Sequence, residues 1–134
     1  MSTPSERMRA LRWGGELLRA MTLEETLGFE IRQRAAQLIP DYPTPLDLIH
    51  LVETDAPLIH LRWAASIDAA GSLFDVLGAI HLEDETLIRK LMCTRRHYPE
   101  LWLRQTWCEP NPIFSIRYWL LPEDDVGISW VDKV

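Results

Sequence analysis

The sequence predicts an α+β protein in which helices precede an antiparallel sheet. Capping residues and a 3.6-residue apolar period mark helices near the N-terminus and at about residues 83–97. After residue 100, three runs rich in aromatic and β-branched residues are separated by turn residues, a pattern that predicts a three-stranded antiparallel meander. At 134 residues the chain fits a single domain, with a helical segment at 1–53 and a mixed helix-and-sheet segment at 54–134.

The first helix is predicted to begin with a capping box at Thr3-Pro4-Ser5-Glu6. Its apolar face carries Ala10, Leu11, Gly14, Leu17, Leu18 and Met21. Gly14 and Gly15 each weaken a helix by about 1 kcal/mol relative to alanine. Because Gly14 lies on the apolar face, we expect a close helix crossing there.

Two shorter helices are predicted to follow. The second helix spans about Gly28 to Ile39, buries Ile31, Ala35 and Leu38, and ends at the prolines that follow. The third begins at Thr44-Pro45-Leu46-Asp47, which repeats the capping pattern, and extends to about Val52.

The first third of the chain resembles a family of small proteobacterial proteins. The shared motifs are Thr3-Pro4-Ser5-Glu6-Arg7 with Arg9-Ala10-Leu11, then Ile31-Arg32-Gln33-Arg34-Ala35, and finally Tyr42-Pro43-Thr44. They are similar to the T-P-x-E-R-x-R-A-L helix, the I-R-R-Q-A helix and the Y-P-[ST] exit of that family. The family has no assigned biochemical activity, so the resemblance implies a bacterial helical segment and no particular chemistry.

The segment at 58–80 admits two predictions. Ile59, Leu61 and Trp63 alternate with polar residues, which favours a hairpin joining strands at 58–63 and 73–77. The alternative is a helical pair interrupted at Gly71, and runs this short do not separate the two. At 83–97 acidic residues precede, and Arg95, Arg96 and His97 follow, an apolar stripe, as the helix dipole favours. The meander is then predicted at 101–107, 113–121 and 126–131.

Charge is segregated along the chain, whose net charge is −6. Nine acidic residues accompany a single Arg62 between positions 41 and 87, and a basic stretch follows at 88–117. The two regions either pair internally or leave an acidic surface for a partner. The negative net charge argues against general binding to nucleic-acid phosphates. No apolar run reaches the roughly 20 residues that span a bilayer, and residues 1–12 lack a leader pattern, so we expect a cytoplasmic protein with reduced cysteines.

Candidate chemistry is sparse. Cys93 and His97 share a helix face, and with Cys108 and His81 they form a weak alternative for a zinc site, although we expect no metal and no cofactor. A cysteine nucleophile with a histidine base, either Cys93 with His97 or Cys108 with His60, has no recognised local signature. A buried, inert thiol is the simpler interpretation of each cysteine.

The predicted binding residues lie on the aromatic sheet: Trp102, Arg104, Trp107, Arg117 and Trp119. Because Trp102 and Trp107 have opposite parity, they would face opposite sides of the sheet. We therefore expect a non-enzymatic interaction or accessory domain that binds another protein through its acidic middle or its aromatic sheet. The alternatives are a small-ligand-binding or enzymatic domain with a Trp-lined pocket and a weak single-stranded nucleic-acid binder.

Overall fold

The computed structural model describes residues 2–53, 57–110, 112 and 115–121, and for 57–60 it describes the backbone alone. These residues form helices and connecting turns, and none of them lies in a β-strand. The predicted α+β class is therefore wrong, and the described fold is all-helical. The helices are α1 (Pro4–Leu23), α2 (Phe29–Leu38), α3 (Pro45–Glu53), α4 (Pro57–Ala79), α5 (Glu85–His97), α6 (Leu101–Trp107) and α7 (Ile116–Leu120), with a 3-10 turn at Ile39–Asp41.

The N-terminal helices confirm the predictions from capping. The Thr3 side chain accepts from the Glu6 amide, and Glu6 in turn accepts from the Thr3 amide, so the capping box is complete. Every residue predicted on the apolar face of α1 is buried. Thr44 and Asp47 exchange the same two contacts at the start of α3.

Two tyrosines connect the ends of the helical segments to the core. The Tyr42 hydroxyl donates to the Leu11 carbonyl at 2.6 Å, and the Tyr98 hydroxyl donates to the Ile67 carbonyl at 2.9 Å. The two oxygens lie 3.4 Å apart, and burial raises the pKa of both phenols. A Cβ on Gly14 would collide with both side chains. The close approach at Gly14 is thus made by tyrosine side chains and not by a crossing helix.

Helix α4 is one continuous helix, so the hairpin predicted at 58–63 and 73–77 is wrong and Gly71 does not interrupt it. Its buried residues recur at helical spacing: Trp63, Ala64, Ile67, Ala70, Phe74 and Leu77. The apparent alternation fails because Leu61 is 38% exposed whereas Trp63 is buried. Gly71 instead leaves room for the Arg104 guanidinium, which lies where a Cβ would be.

The predicted helix at 83–97 is confirmed as α5, and Asp84 caps it by accepting from the amides of Thr86 and Leu87. The meander is wrong where it can be compared. Residues 101–107 form α6, and the run at 113–121 contains α7, whose Ser115 cap accepts from the Tyr118 amide. The predicted strand at 126–131 lies outside the described residues.

The core lies around α1, which packs against α2, α4, α5 and α7, while α4 also packs against α2 and α6. The largest fully buried side chains include Trp107, Phe74 and several leucines of α1. Over the ranges that the structure describes, no helix is both long enough and apolar enough to cross a bilayer.

Candidate functional site

The residues predicted to bind a partner are mostly occupied by contacts inside the protein. Arg104 is only 5% exposed, and its guanidinium donates to Asp68 Oδ1 at 3.2 Å and to the Pro99 carbonyl at 2.7 Å. It thereby joins α6 to α4 across Gly71. Arg104 is a buried structural link in this arrangement.

Trp107, Trp119 and Arg117 lie where the short helix α7 joins the core. The Trp107 and Trp119 rings meet edge to face with centroids 5.3 Å apart. Arg7 of α1 lies over the Trp119 ring and donates to the Trp119 carbonyl at 3.2 Å. Arg117 donates to the Val52 carbonyl of α3 at 3.1 Å. These contacts attach α7 to α1 and α3.

Trp102 is the only one of the five predicted binding residues that is mostly exposed, at 58%. Its indole N–H donates to Glu100 Oε2 at 2.7 Å. Trp102 and Trp107 do lie on different faces, one exposed and one buried, but on a helix and not on a sheet.

The structure separates the predicted cysteine and histidine ligands. Cys93 and His97 line one depression, whereas Cys108 lies at the end of α6, and His81 lines a depression on the other side of α5. Among the described residues, no three His, Cys, Asp or Glu side chains form a group that could hold a metal ion. Cys93 and Cys108 are both exposed, so the expectation of buried thiols is wrong. Partial desolvation, and then the charge of Asp68, raise the pKa of the Cys108 thiol, which disfavours its thiolate. The His60 side chain lies outside the described set.

The acidic middle is partly neutralised by the basic stretch, as the internal-pairing alternative predicts. Two ion pairs join this region to the basic stretch, Asp68 with Arg104 at 3.2 Å and Asp75 with Arg95 at 3.1 Å. A third, Asp41 with Arg62 at 3.7 Å, lies within the acidic region itself. Asp47 and Asp84 are engaged as helix caps. The acidic region is therefore a poorer candidate for a docking surface than its charge alone indicates.

A groove between α1 and α5 is the better candidate. Glu6 contacts His97 at one end, and Glu16 and Thr86 line the same depression at the other, so the two helices are antiparallel. Two depressions of about 250 and 300 Å³ lie between them and share Trp13 and Cys93. We call this surface the basic groove, and its lining is Glu6, Arg9, Ala10, Trp13 and Glu16 from α1 with Thr86, Arg89, Lys90, Cys93, Thr94, Arg96 and His97 from α5.

The basic groove carries more positive than negative charge. Arg89, Lys90 and Arg96 are exposed on α5 and make no ion pair or side-chain hydrogen bond with the described residues. Arg9 lies over the Trp13 ring, with 5.5 Å from guanidinium carbon to centroid. Of the two acids, Glu6 is already bound, because it contacts His97 Nε2 at 2.7 Å and accepts from the Thr3 amide.

The position of Glu6 follows from its cap. Hydrogen bonds from the Thr3 backbone and side chain, and then the nearby charges of His97 and Arg9, hold the pKa of Glu6 below its usual value. An ionised Glu6 keeps the end of α1 against the end of α5. The charge of Lys90 acts on Asp84 and that of Arg9 on Glu6. Arg89 and Arg96 are therefore the cations left available for an anionic group from outside.

Part of the basic groove can be read from the sequence. Positions 86, 89, 93 and 97 recur at helical spacing on α5, as do 6, 9, 13 and 16 on α1. The antiparallel pairing of α1 with α5 is the missing information, since it brings the two stripes together. No local sequence motif marks Trp13, Arg9 or Arg89 as a functional residue.

No protein-family model, curated protein or solved structure matches this chain. The resemblance of the first third to a proteobacterial family therefore stays a prediction.

Proposed function

We propose that this chain is a non-enzymatic protein-interaction domain whose basic groove binds an acidic segment of a partner protein. One observation carries the proposal: Arg89 and Arg96 have no ion-pair partner among the described residues, in a chain whose net charge is −6. Unpaired cations gathered on one face of an acidic protein favour an acidic partner.

The shape of the groove supports a peptide segment over a small molecule. Each depression has about 250 to 300 Å³, at or below the lower end for small-molecule pockets, but the two adjoin at Trp13 and Cys93, which line both. Trp13 at their junction offers an aromatic surface of the kind that anchors many protein interfaces. Arginine forks bind carboxylates with two hydrogen bonds, so Arg89 and Arg96 suit Glu or Asp side chains.

A protein partner is also favoured over nucleic acid. The overall negative charge repels a long polyanion, whereas a short acidic segment need only approach the local field of the groove. We place this interaction in the cytoplasm, where the two exposed free thiols, Cys93 and Cys108, stay reduced.

The test is fluorescence anisotropy with a fluorescein-labelled peptide of about 14 residues, in which Glu recurs every fourth position on an alanine background. We expect saturable binding that weakens about tenfold or more between roughly 50 and 300 mM salt, because the contacts are between exposed charges. The double variant R89E/R96E should weaken binding by a further factor of about ten.

Arg34→Glu is the control, and it is charge-matched to each of the single variants R89E and R96E, which are measured beside it. Arg34 is exposed on α2 and lies outside the basic groove, so its reversal changes net charge without changing the groove. We expect R34E to bind the peptide within about twofold of wild type, because an exposed charge outside the groove is screened by salt and contributes little to binding. Equal losses in R34E and R89E/R96E, no binding of the Glu peptide, or tighter binding of a Lys peptide or an oligothymidylate would each overturn the proposal.

A further inference from the structure

An apolar depression lies on the opposite side of α5 from the basic groove. It has a volume of about 700 Å³ and is lined by the end of α4, the turn after it and α5, with Ile80, Leu82, Ile88 and Met92 among its apolar residues. Met92 is 68% exposed and Ile80 is 39% exposed. Water therefore covers apolar side chains that a partner can bury.

The apolar depression has an arginine at its edge, Arg95, that is less available to an anion than the arginines of the basic groove. Arg95 lies against Gly78 and pairs with Asp75 at 3.1 Å, so its charge is already partly compensated. Arg96, in contrast, has no ion pair with the described residues, and it lines both the apolar depression and the basic groove.

Helical geometry explains why Arg96 touches both surfaces. At 100° per residue, Ile88, Met92 and Arg95 point to one side of α5, and Thr86, Cys93 and His97 point to the other. Arg89 and Arg96 fall between these two directions, on the exposed ridge. A chain that lies across α5 therefore passes over two unpaired guanidinium groups between an apolar surface and a basic one.

We propose that the partner segment is amphipathic, and that its acidic side chains occupy the basic groove while its apolar side chains cover the apolar depression across the Arg89–Arg96 ridge. This inference rests on the proposed function and adds the apolar half of the ligand. The two surfaces are separated by the width of α5, which is about 10 Å for an α-helix. A helical segment of about 10 to 15 residues is longer than this width and can reach both surfaces. Arg96 lines the apolar depression and the basic groove alike, and this shared residue is the reason for assigning both to one occupant.

The experiment compares two labelled peptides on the full chain. The first is the Glu–Ala peptide already described. The second keeps its glutamates and replaces alanines by leucines spaced three and four residues apart, so that the leucines form an apolar face next to the acidic face of the peptide helix. We expect the acidic-apolar peptide to bind about fivefold or more tighter, and we expect this gain to persist at high salt because apolar burial is not screened.

The variants Met92→Ser and Ile80→Ser should remove most of that gain and leave affinity for the Glu–Ala peptide within about twofold of wild type. Both residues are exposed, and circular dichroism of each variant checks that the helices are retained. Val76→Ser is the matched control, because Val76 is 50% exposed on α4 but does not line the apolar depression.

The outcomes separate the two proposals. If both peptides bind equally, or if M92S and I80S leave the gain intact, the amphipathic inference is wrong and the acidic-segment function stands. If V76S removes the gain as well, the effect is not specific to the apolar depression, and the inference is also wrong. If neither peptide binds, the proposed function itself fails.

Discussion

Replacing Gly14 with alanine is expected to destabilise the protein, although alanine is the better helix former. In an open helix the change would stabilise by about 0.5–1 kcal/mol. Here the added Cβ would occupy the space of the Tyr42 hydroxyl and the Tyr98 ring. The sign of the change therefore tests whether the two tyrosines lie where the structure places them.

The magnitude follows from what Tyr42 must give up. Its hydroxyl is buried and donates to the Leu11 carbonyl at 2.6 Å, and displacing it leaves buried polar atoms unsatisfied at about 1–3 kcal/mol. Overpacking a well-filled site adds about 1–3 kcal/mol. After the helix-propensity gain, we expect a net loss of about 3 kcal/mol in the free energy of unfolding.

The assay is urea denaturation followed by circular dichroism, in a double-mutant cycle with Tyr42→Phe. Y42F alone should cost about 1 kcal/mol, and G14A should cost less in its background because the hydroxyl is gone. Gly15→Ala is the control: its Cβ would lie 3.3 Å from two ring carbons of Tyr42, so we expect a change below about 1 kcal/mol. A G14A variant more stable than wild type would refute the reasoning.

Three further predictions follow from the contacts described above. Asp68→Ala should lower the free energy of unfolding in urea by about 2–3 kcal/mol, because it leaves Arg104 buried without its carboxylate; a change below about 0.5 kcal/mol would contradict that role. Because the pKa of Glu6 is lowered in the folded protein, the ionised Glu6 contributes to stability above the usual value of 4.5, and this contribution is lost as the pH falls below that value. The urea midpoint of Glu6→Gln should therefore fall less steeply below that pH than the midpoint of wild type. Identical slopes would contradict the prediction. Trp107→Ala should cost about 3–5 kcal/mol by the same assay and Trp102→Ala less than about 0.5 kcal/mol, whereas similar losses would mean that both face the same environment.

Side-chain caps mark three of the helices that the sequence predicts, but a cap is neither necessary nor sufficient for the prediction. Helix α2 is predicted without a side-chain cap, and α7 is missed although Ser115 caps it. The first, third and fifth helices begin at Thr3, Thr44 and Asp84, where a side chain satisfies the free backbone amides. Helix α6 begins without a side-chain cap, at Glu100, and its seven residues carry aromatic side chains that also favour strands. Tertiary packing favours the helix here, because Leu103 and Trp107 are four residues apart and are buried on the same face of α6.

Gly71 misled in a different way. Glycine in a short apolar run usually signals a turn, and the sequence does not show that Arg104 approaches from 33 residues further along the chain. The candidate site depended on the same kind of distant contact. Cys93 and His97 were predicted to share a face, but only the packing of α1 beside α5 adds Arg9 and Trp13 to them. Helical spacing in the sequence identifies the residues that share one face of α1 or of α5. Which two faces pack beside each other is known only from the fold.

Arg7 and Arg117 hold α7 through the backbone oxygens of Trp119 and Val52. These two hydrogen bonds join residues that are 112 and 65 positions apart in sequence, so α7 fastens distant parts of the chain to one another. Releasing α7 would therefore require it to separate from α1 and α3 together. Backbone amides near α7 should keep their slow exchange with deuterated solvent until the whole molecule opens.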